Sequence, residues 1–150
     1  MENSESPGSK SNPLRVLIAD DNYAFRQGLN VLLGFEPDIQ VVAVASNDQQ
    51  TLSLARKHTP EVIVMDLSMG AMSGTDVIRT LVTELPEVRV LVLSGHSDKK
   101  MIDGALAAGA AGYLTKSSSL REVPLALRKI RGGAGAGAVR PRMGNAASEI

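Results

Sequence analysis

The sequence of 150 residues predicts an α/β domain: a doubly wound, parallel sheet of five strands with helices on both faces. Three observations lead there. Short apolar runs alternate five times with stretches of helical periodicity. The runs are continuously apolar rather than alternating, as in strands buried on both faces. Each strand is followed by a stretch long enough for the crossover that parallel strands need.

The first run, Leu14–Ala19, ends in Asp20-Asp21. Phe25, Leu29, Leu32 and Leu33 then recur at helical spacing up to Gly34, a helix stop. Ile39–Ala45 predicts a second strand, and a helix around Leu52–Arg56 must end before Pro60. Val62–Met65 is a third run, ending in Asp66. A loop with Gly70 and Gly74 leads into a helix carrying Val77, Ile78, Leu81 and Val82. Val88–Leu93 predicts a fourth strand, Met101–Ala108 a fourth helix and Gly112–Leu114 a short fifth strand. Ser119-Leu120-Arg121-Glu122 has capping-box spacing for a last helix over 120–131. Pro124 sits too deep for that cap, which predicts a bend or a differently set start.

The ends differ in composition. Residues 1–13 are rich in Ser, Asn, Pro and Gly and read as a disordered N-terminal tail. Residues 132–150 are Gly/Ala-rich and read as a flexible linker or tail, with Arg140 and Arg142 adding to a basic stretch that starts at Arg128. The folded part is expected over 14–131. Sixteen basic and sixteen acidic residues cancel, against a chain built mainly to coat nucleic acid. Without cysteine there are no disulfides or thiolate metal sites. No apolar run approaches the roughly 20 residues of a membrane span, and the polar N-terminus lacks a signal-peptide core, so a cytoplasmic protein is expected. Aromatic residues make up only 3%, which disfavours base-stacking surfaces.

Open parallel sheets bind ligands outside the carboxyl ends of their strands. Those ends carry Asp20-Asp21, Asp66, Ser94 and, a few residues past the fifth strand, Lys116, whereas the second strand ends in uncharged Ala45-Ser46. With the second strand at the edge, in the order 2-1-3-4-5, all the charged groups meet in one pocket. Each pair of carboxylates ~4 Å apart costs about 4 kcal/mol at an effective dielectric near 20. One lysine offsets too little of this, and an all-oxygen site suits Mg²⁺. Such a site suits a phosphoryl group, with Asp66 as the nucleophile that forms an acyl phosphate. Lys116 would ion-pair with a phosphoryl oxygen and the Ser94 hydroxyl would donate to another.

With these residues in place, the chain resembles the receiver domain of two-component response regulators over about 14–131. Several separated motifs agree: Asp20-Asp21, Met65-Asp66-Leu67-Ser68-Met69 with Gly74, Ser94-Gly95, and Gly112-Tyr113-Leu114-Thr115-Lys116. Asp20 to Leu29 and Ala108 to Leu114 are similar to the NarL/FixJ subfamily in particular. The resemblance implies a flavodoxin-like (βα)5 fold and a phosphoryl group accepted on Asp66 from a sensor histidine kinase. It implies Mg²⁺ held by Asp20, Asp21, Asp66 and the backbone carbonyl of Ser68, with Ser94 and Lys116 on the phosphoryl group. Tyr113 would change rotamer in step with Ser94, turning inward on phosphorylation. The domain would catalyse only its own phosphorylation and dephosphorylation.

Two departures stand out. Gly70 occupies a position where family members commonly have proline, which predicts a less rigid loop, and Ser117 follows Lys116 in place of a frequent proline. Ser68, two residues past the acceptor, is small and predicts turnover of the acyl phosphate without an unusual kinetic block. His58 and His96 read as exposed, and Met65, Met69 and Met72 as core filler and loop anchors. Members of the subfamily carry a DNA-binding output domain after a linker and form homodimers on phosphorylation. This chain shows no helix-turn-helix pattern, so contact with DNA would run only through an output domain outside it. The linker-like 132–150 favours the receiver part of a transcription regulator. A stand-alone receiver acting in a phosphorelay or by protein binding is the alternative. A receiver-like module that is never phosphorylated, or a flavodoxin-like cofactor carrier, fits the acidic strand ends less well.

Overall fold

The structure is a computed structural model that describes residues 12–118 and 120–133. Ser119, most of the two expected tails, and Arg140 and Arg142 lie outside the described residues. The chain runs β1 (Leu14–Ala19), α1 (Tyr23–Gly34), β2 (Ile39–Ala45), α2 (Asp48–His58), β3 (Val62–Met65), α3 (Gly74–Glu84), β4 (Arg89–Ser94), α4 (Lys99–Ala108), β5 (Gly112–Thr115) and α5 (Glu122–Arg131). All strand pairs are parallel, in the order β2-β1-β3-β4-β5, as the sequence predicts.

Alternate residues of each strand feed two separate cores, the period-two consequence of pleating. Leu17, Ile63, Met65, Val90 and Val92 face α2, α3 and α4 through Ala55, Ile78, Leu81 and Ile102. Val16, Ile18, Val64, Leu91 and Leu93 face α1 and α5 through Leu29, Leu33, Leu127 and Ile130. With both faces covered, the central strands have no solvent side, which is why they read as unbroken apolar runs.

Helix starts follow side-chain caps. Asn22, Asn47, Ser73 and Asp98 each accept a hydrogen bond from the backbone N–H three residues on, satisfying donors that the first turn leaves free. Asp98 sets the start of α4 two residues earlier than the apolar spacing predicts, because Lys99 and Lys100 are exposed and carry no hydrophobic signal. α2 ends at Thr59, held in the left-handed region at φ 42°, immediately before Pro60.

The last helix departs from expectation. It begins at Glu122 rather than 120, and Arg121 at its start provides no capping side chain. A tight turn from the Val123 N–H to the Leu120 carbonyl precedes it. Pro124 becomes the third helical residue, where a backbone N–H has no partner within the helix, so the ring removes no hydrogen bond and needs no bend. Arg128, read from the sequence as part of a basic stretch, is instead structural. Its guanidinium takes Asp38 in a fork, Nε to Oδ2 and Nη2 to Oδ1 both at 2.8 Å, and also bonds Glu36, tying α5 to the turn before β2.

Candidate functional site

The topology places the carboxyl ends of β1, β3, β4 and β5 side by side. Asp20 follows β1 directly and is 2% exposed. Its Oδ1 accepts from the Asn22 N–H at 2.9 Å, and its backbone carbonyl accepts from Arg26 at 2.7 Å. Asp66 follows β3 and is 8% exposed; its Oδ1 accepts from the Ser68 N–H at 3.3 Å. Asp21 is exposed at the rim. One carboxylate oxygen from each of Asp20, Asp21 and Asp66 lies within 4.8 Å of the other two.

Lys116 reaches this trio from beyond β5. Its Nζ stands 2.7 Å from Asp20 Oδ2 and 3.0 Å from Asp66 Oδ2, and 4.4 Å from the centre of the Phe25 ring. Burial alone would lower the ammonium pKa. The hydrogen bonds and charges of Asp20 and Asp66 outweigh it and hold the group above its ordinary value. Phe25 is a site residue the sequence does not single out: its helical spacing assigns it to the core, and nothing in the pattern shows that the ring also backs the lysine.

Ser94 ends β4 and is fully buried, with Oγ accepting from the His96 N–H at 3.1 Å. Tyr113 is also fully buried, and its hydroxyl donates to the His96 carbonyl at 2.7 Å. Burial pushes the phenol pKa up; the Ser94 hydroxyl works against this, and the Asp98 and Asp66 charges add to it. The ring is buried in the structure, with its hydroxyl held on the β4–α4 loop. His96 meets the pocket through its backbone, while the residue is exposed, as expected. The turn carrying Lys116 is fixed by its N–H on the Ser94 carbonyl at 2.7 Å. Buried Thr115 adds hydroxyl contacts to Ser117 and Ser118 at 2.9 and 3.1 Å, a role the sequence left unread.

The β3–α3 loop is held closely. A Cβ on Gly74 would stand 2.4 Å from the Leu67 carbonyl oxygen, so only glycine lets the start of α3 approach the loop. Gly70, where the resemblance expects proline, lies against the buried Asp48, and a Cβ there would stand 2.7 Å from Asp48 Oδ1. The expected loosening by glycine leaves out this contact. A cavity of 580 Å³ beside the carboxylates is lined by Asp21, Leu67, Ser68, Gly70, Met72 and Met101, among others. Another, of 440 Å³, lies at the amino ends of the strands near Pro60, Pro86 and Arg131, far from any of these groups.

Asp20, Asp21, Asp66 and Lys116 therefore converge at the carboxyl ends of the strands, while Ser94 and Tyr113 meet at the His96 backbone. The donor set fits Mg²⁺: three carboxylates, all hard oxygen ligands, with a single ammonium to offset them.

The chain combines a (βα)5 sheet with an acidic trio around one lysine at the carboxyl ends of its strands. The family model described as "Response regulator receiver domain" matches residues 16–128, and the chain belongs to that family. It is 38% identical over 105 residues to the transcriptional regulatory protein DegU of Brevibacillus brevis, covering 70% of this chain and 44% of DegU. It is 36% identical to the transcriptional regulatory protein LiaR of Bacillus subtilis, covering 77% of this chain and 54% of LiaR. The chain thus spans about half the length of the curated relatives it matches. Among solved structures, the signal receiver domain of the response regulator NarL from Mycobacterium tuberculosis is similar at 34% identity and TM-score 0.76, covering 81% of this chain and 98% of that one. A LuxR-family response regulator from Aurantimonas is similar at 31% identity and TM-score 0.79, covering 83% and 89%. The chain is a receiver domain of the NarL/LuxR type of two-component response regulator.

Proposed function

We propose that Asp66 accepts a phosphoryl group from a sensor histidine kinase, and that this switches the surface of the domain. The observation that carries the reading is the convergence of Asp20, Asp21 and Asp66 within 4.8 Å around Lys116. A carboxylate oxygen of Asp66 attacks phosphorus, the bond from phosphorus to the kinase imidazole breaks, and the imidazole departs with its electron pair. Water then attacks the same phosphorus, returning the carboxylate and inorganic phosphate. Apart from this exchange the domain catalyses nothing.

Asp20, Asp21, Asp66 and the Ser68 carbonyl would hold Mg²⁺. When bound, the ion offsets the negative charge that carboxylates and phosphoryl oxygens bring together. Lys116 exchanges its pairing with Asp66 for a phosphoryl oxygen, keeping its place on Asp20 and Phe25. Ser94 donates its hydroxyl to another oxygen, which changes the space beside the Tyr113 ring. Tyr113 and its bond to His96 then report the event to the β4–α4 loop. The small side chain at Ser68 leaves the attacking water room, so the acyl phosphate turns over without an unusual block.

The wider role rests on the relatives. Those matched are transcriptional regulators of which the matched stretch makes up 44% and 54%, which supports a receiver that controls a DNA-binding output domain, with residues from 132 on as the linker and phosphorylation favouring a homodimer. Among the described residues no helix is long and apolar enough to cross a membrane, in keeping with a cytoplasmic site of action. The test is beryllofluoride, a phosphoryl mimic, added with Mg²⁺ and followed by amide NMR. Shifts at Ser94, His96 and Tyr113 in the wild type, absent in Asp66→Asn, are expected. Unchanged wild-type spectra would overturn the reading.

A further inference from the structure

Asp48 is a buried carboxylate outside the acidic trio. It opens α2, on a different element from every proposed site residue, yet it is only 4% exposed. Its Oδ2 accepts from the Met72 N–H at 2.7 Å, across 24 residues of sequence. Its carboxylate lies in the space that a side chain at position 70 would fill: an added Cβ would meet Oδ1, Cγ and Oδ2 at 2.7, 2.8 and 2.8 Å. Real Cβ atoms do not approach that closely. The aspartate side chain is short and enclosed, so it can yield only by leaving the Met72 N–H.

Gly70 and Met72 belong to the stretch between Asp66 and α3 that also carries Ser68. Its near end is tied by Asp66 Oδ1 to the Ser68 N–H, and its far end by the close approach of Gly74 to Leu67. Between these anchors, Asp48 is, among the described residues, the side chain from outside the stretch that bonds its backbone. We propose that Asp48 is a positioning residue for the phosphoacceptor loop, and that glycine at position 70 is what admits it. The pair acts on the site through the backbone, by fixing the path on which the Ser68 carbonyl sits. This rests on the metal-binding, phosphoacceptor reading above.

The test uses the full chain and four variants: Asp48→Ala, Asp48→Asn, Gly70→Ala and the double Asp48→Ala/Gly70→Ala. Mg²⁺ affinity is titrated by amide NMR, Met72 amide exchange is timed, and thermal midpoints are recorded without metal. Asp48→Ala is expected to speed Met72 exchange about tenfold through loss of a charged hydrogen bond. It should weaken Mg²⁺ binding about tenfold, as loss of an outer-shell partner does. Asp48→Asn keeps an acceptor oxygen and is expected to restore most of both. Gly70→Ala should lower the midpoint by about 5 °C in the wild type, and by much less once Asp48 is alanine. Equal midpoint losses in the two backgrounds would overturn the pairing. Unchanged Mg²⁺ affinity in Asp48→Ala would overturn the positioning role. If Asp48→Ala fails to fold, Gly70→Ala alone must still speed Met72 exchange, or the proposal falls. A wild type that binds no Mg²⁺ removes the phosphoacceptor reading and with it the positioning role, while the midpoints and Met72 exchange still decide the pairing.

Discussion

Replacing Lys116 with methionine removes the one ammonium among three carboxylates while keeping an apolar stem against Phe25. The lysine stands 2.7 Å from Asp20 and 3.0 Å from Asp66, so at an effective dielectric near 20 each attraction is about 5–6 kcal/mol. Carboxylate pairs within 4.8 Å repel by about 3.5 kcal/mol or more on the same scale, and the variant leaves that repulsion uncompensated. Desolvation of the ammonium already offsets much of the attraction. Asp21 is exposed and screened, so the net loss expected near neutral pH is about 3 kcal/mol. Mg²⁺ should stabilise the variant more than the wild type, since the ion replaces a missing charge in one and competes with the lysine in the other. Urea unfolding of variant and wild type near pH 7.5, with and without Mg²⁺, measures these quantities. A variant as stable as the wild type, with Mg²⁺ adding no more to it than to the wild type, would refute the electrostatic account of the site.

Other perturbations separate structural from functional groups. Arg128 holds Asp38 below the ordinary carboxylate range through their hydrogen bonds, so the pair stabilises the fold above that range and the contribution fades as pH falls through the depressed value. Arg128→Ala should therefore lose about 1 kcal/mol at neutral pH, a small figure for a half-exposed pair, and progressively less as the pH falls through the depressed value; a constant deficit across the titration would contradict this. Tyr113→Phe keeps the buried ring but removes the 2.7 Å bond to the His96 carbonyl. It should lower stability by about 1 kcal/mol in denaturant unfolding. A loss of about 4 kcal/mol would mean that the ring itself repacks.

Most of the architecture is legible in the sequence for one physical reason. A sheet covered on both faces needs unbroken apolar strands, and Leu14–Ala19, Ile39–Ala45 and Val62–Met65 match the observed strands end to end. Helix starts are less legible, because they depend on which polar side chain caps. The exposed Lys99-Lys100 pair hides the first turn of α4, and the spacing of Ser119 to Glu122 suggests a cap for α5 where Arg121 provides none. The polar site is legible because acids at successive strand ends are costly without a shared purpose. Phe25 and Asp48 are hidden for the opposite reason. One looks like an ordinary core residue and the other like a helix-starting acid, and only the tertiary fold brings them to Lys116 and Gly70.

The central claim is that Asp66, held in the acidic cup by Lys116, carries phosphorus. Intact-mass measurement after incubation with acetyl phosphate and Mg²⁺, followed by borohydride trapping and peptide mapping, tests it directly. The wild type should gain a single phosphoryl mass mapping to Asp66, absent when Mg²⁺ is left out of the incubation and absent in Asp66→Asn. A phosphoryl group on any other residue, or an unmodified wild type under conditions where Mg²⁺ binding is measurable, would contradict the account.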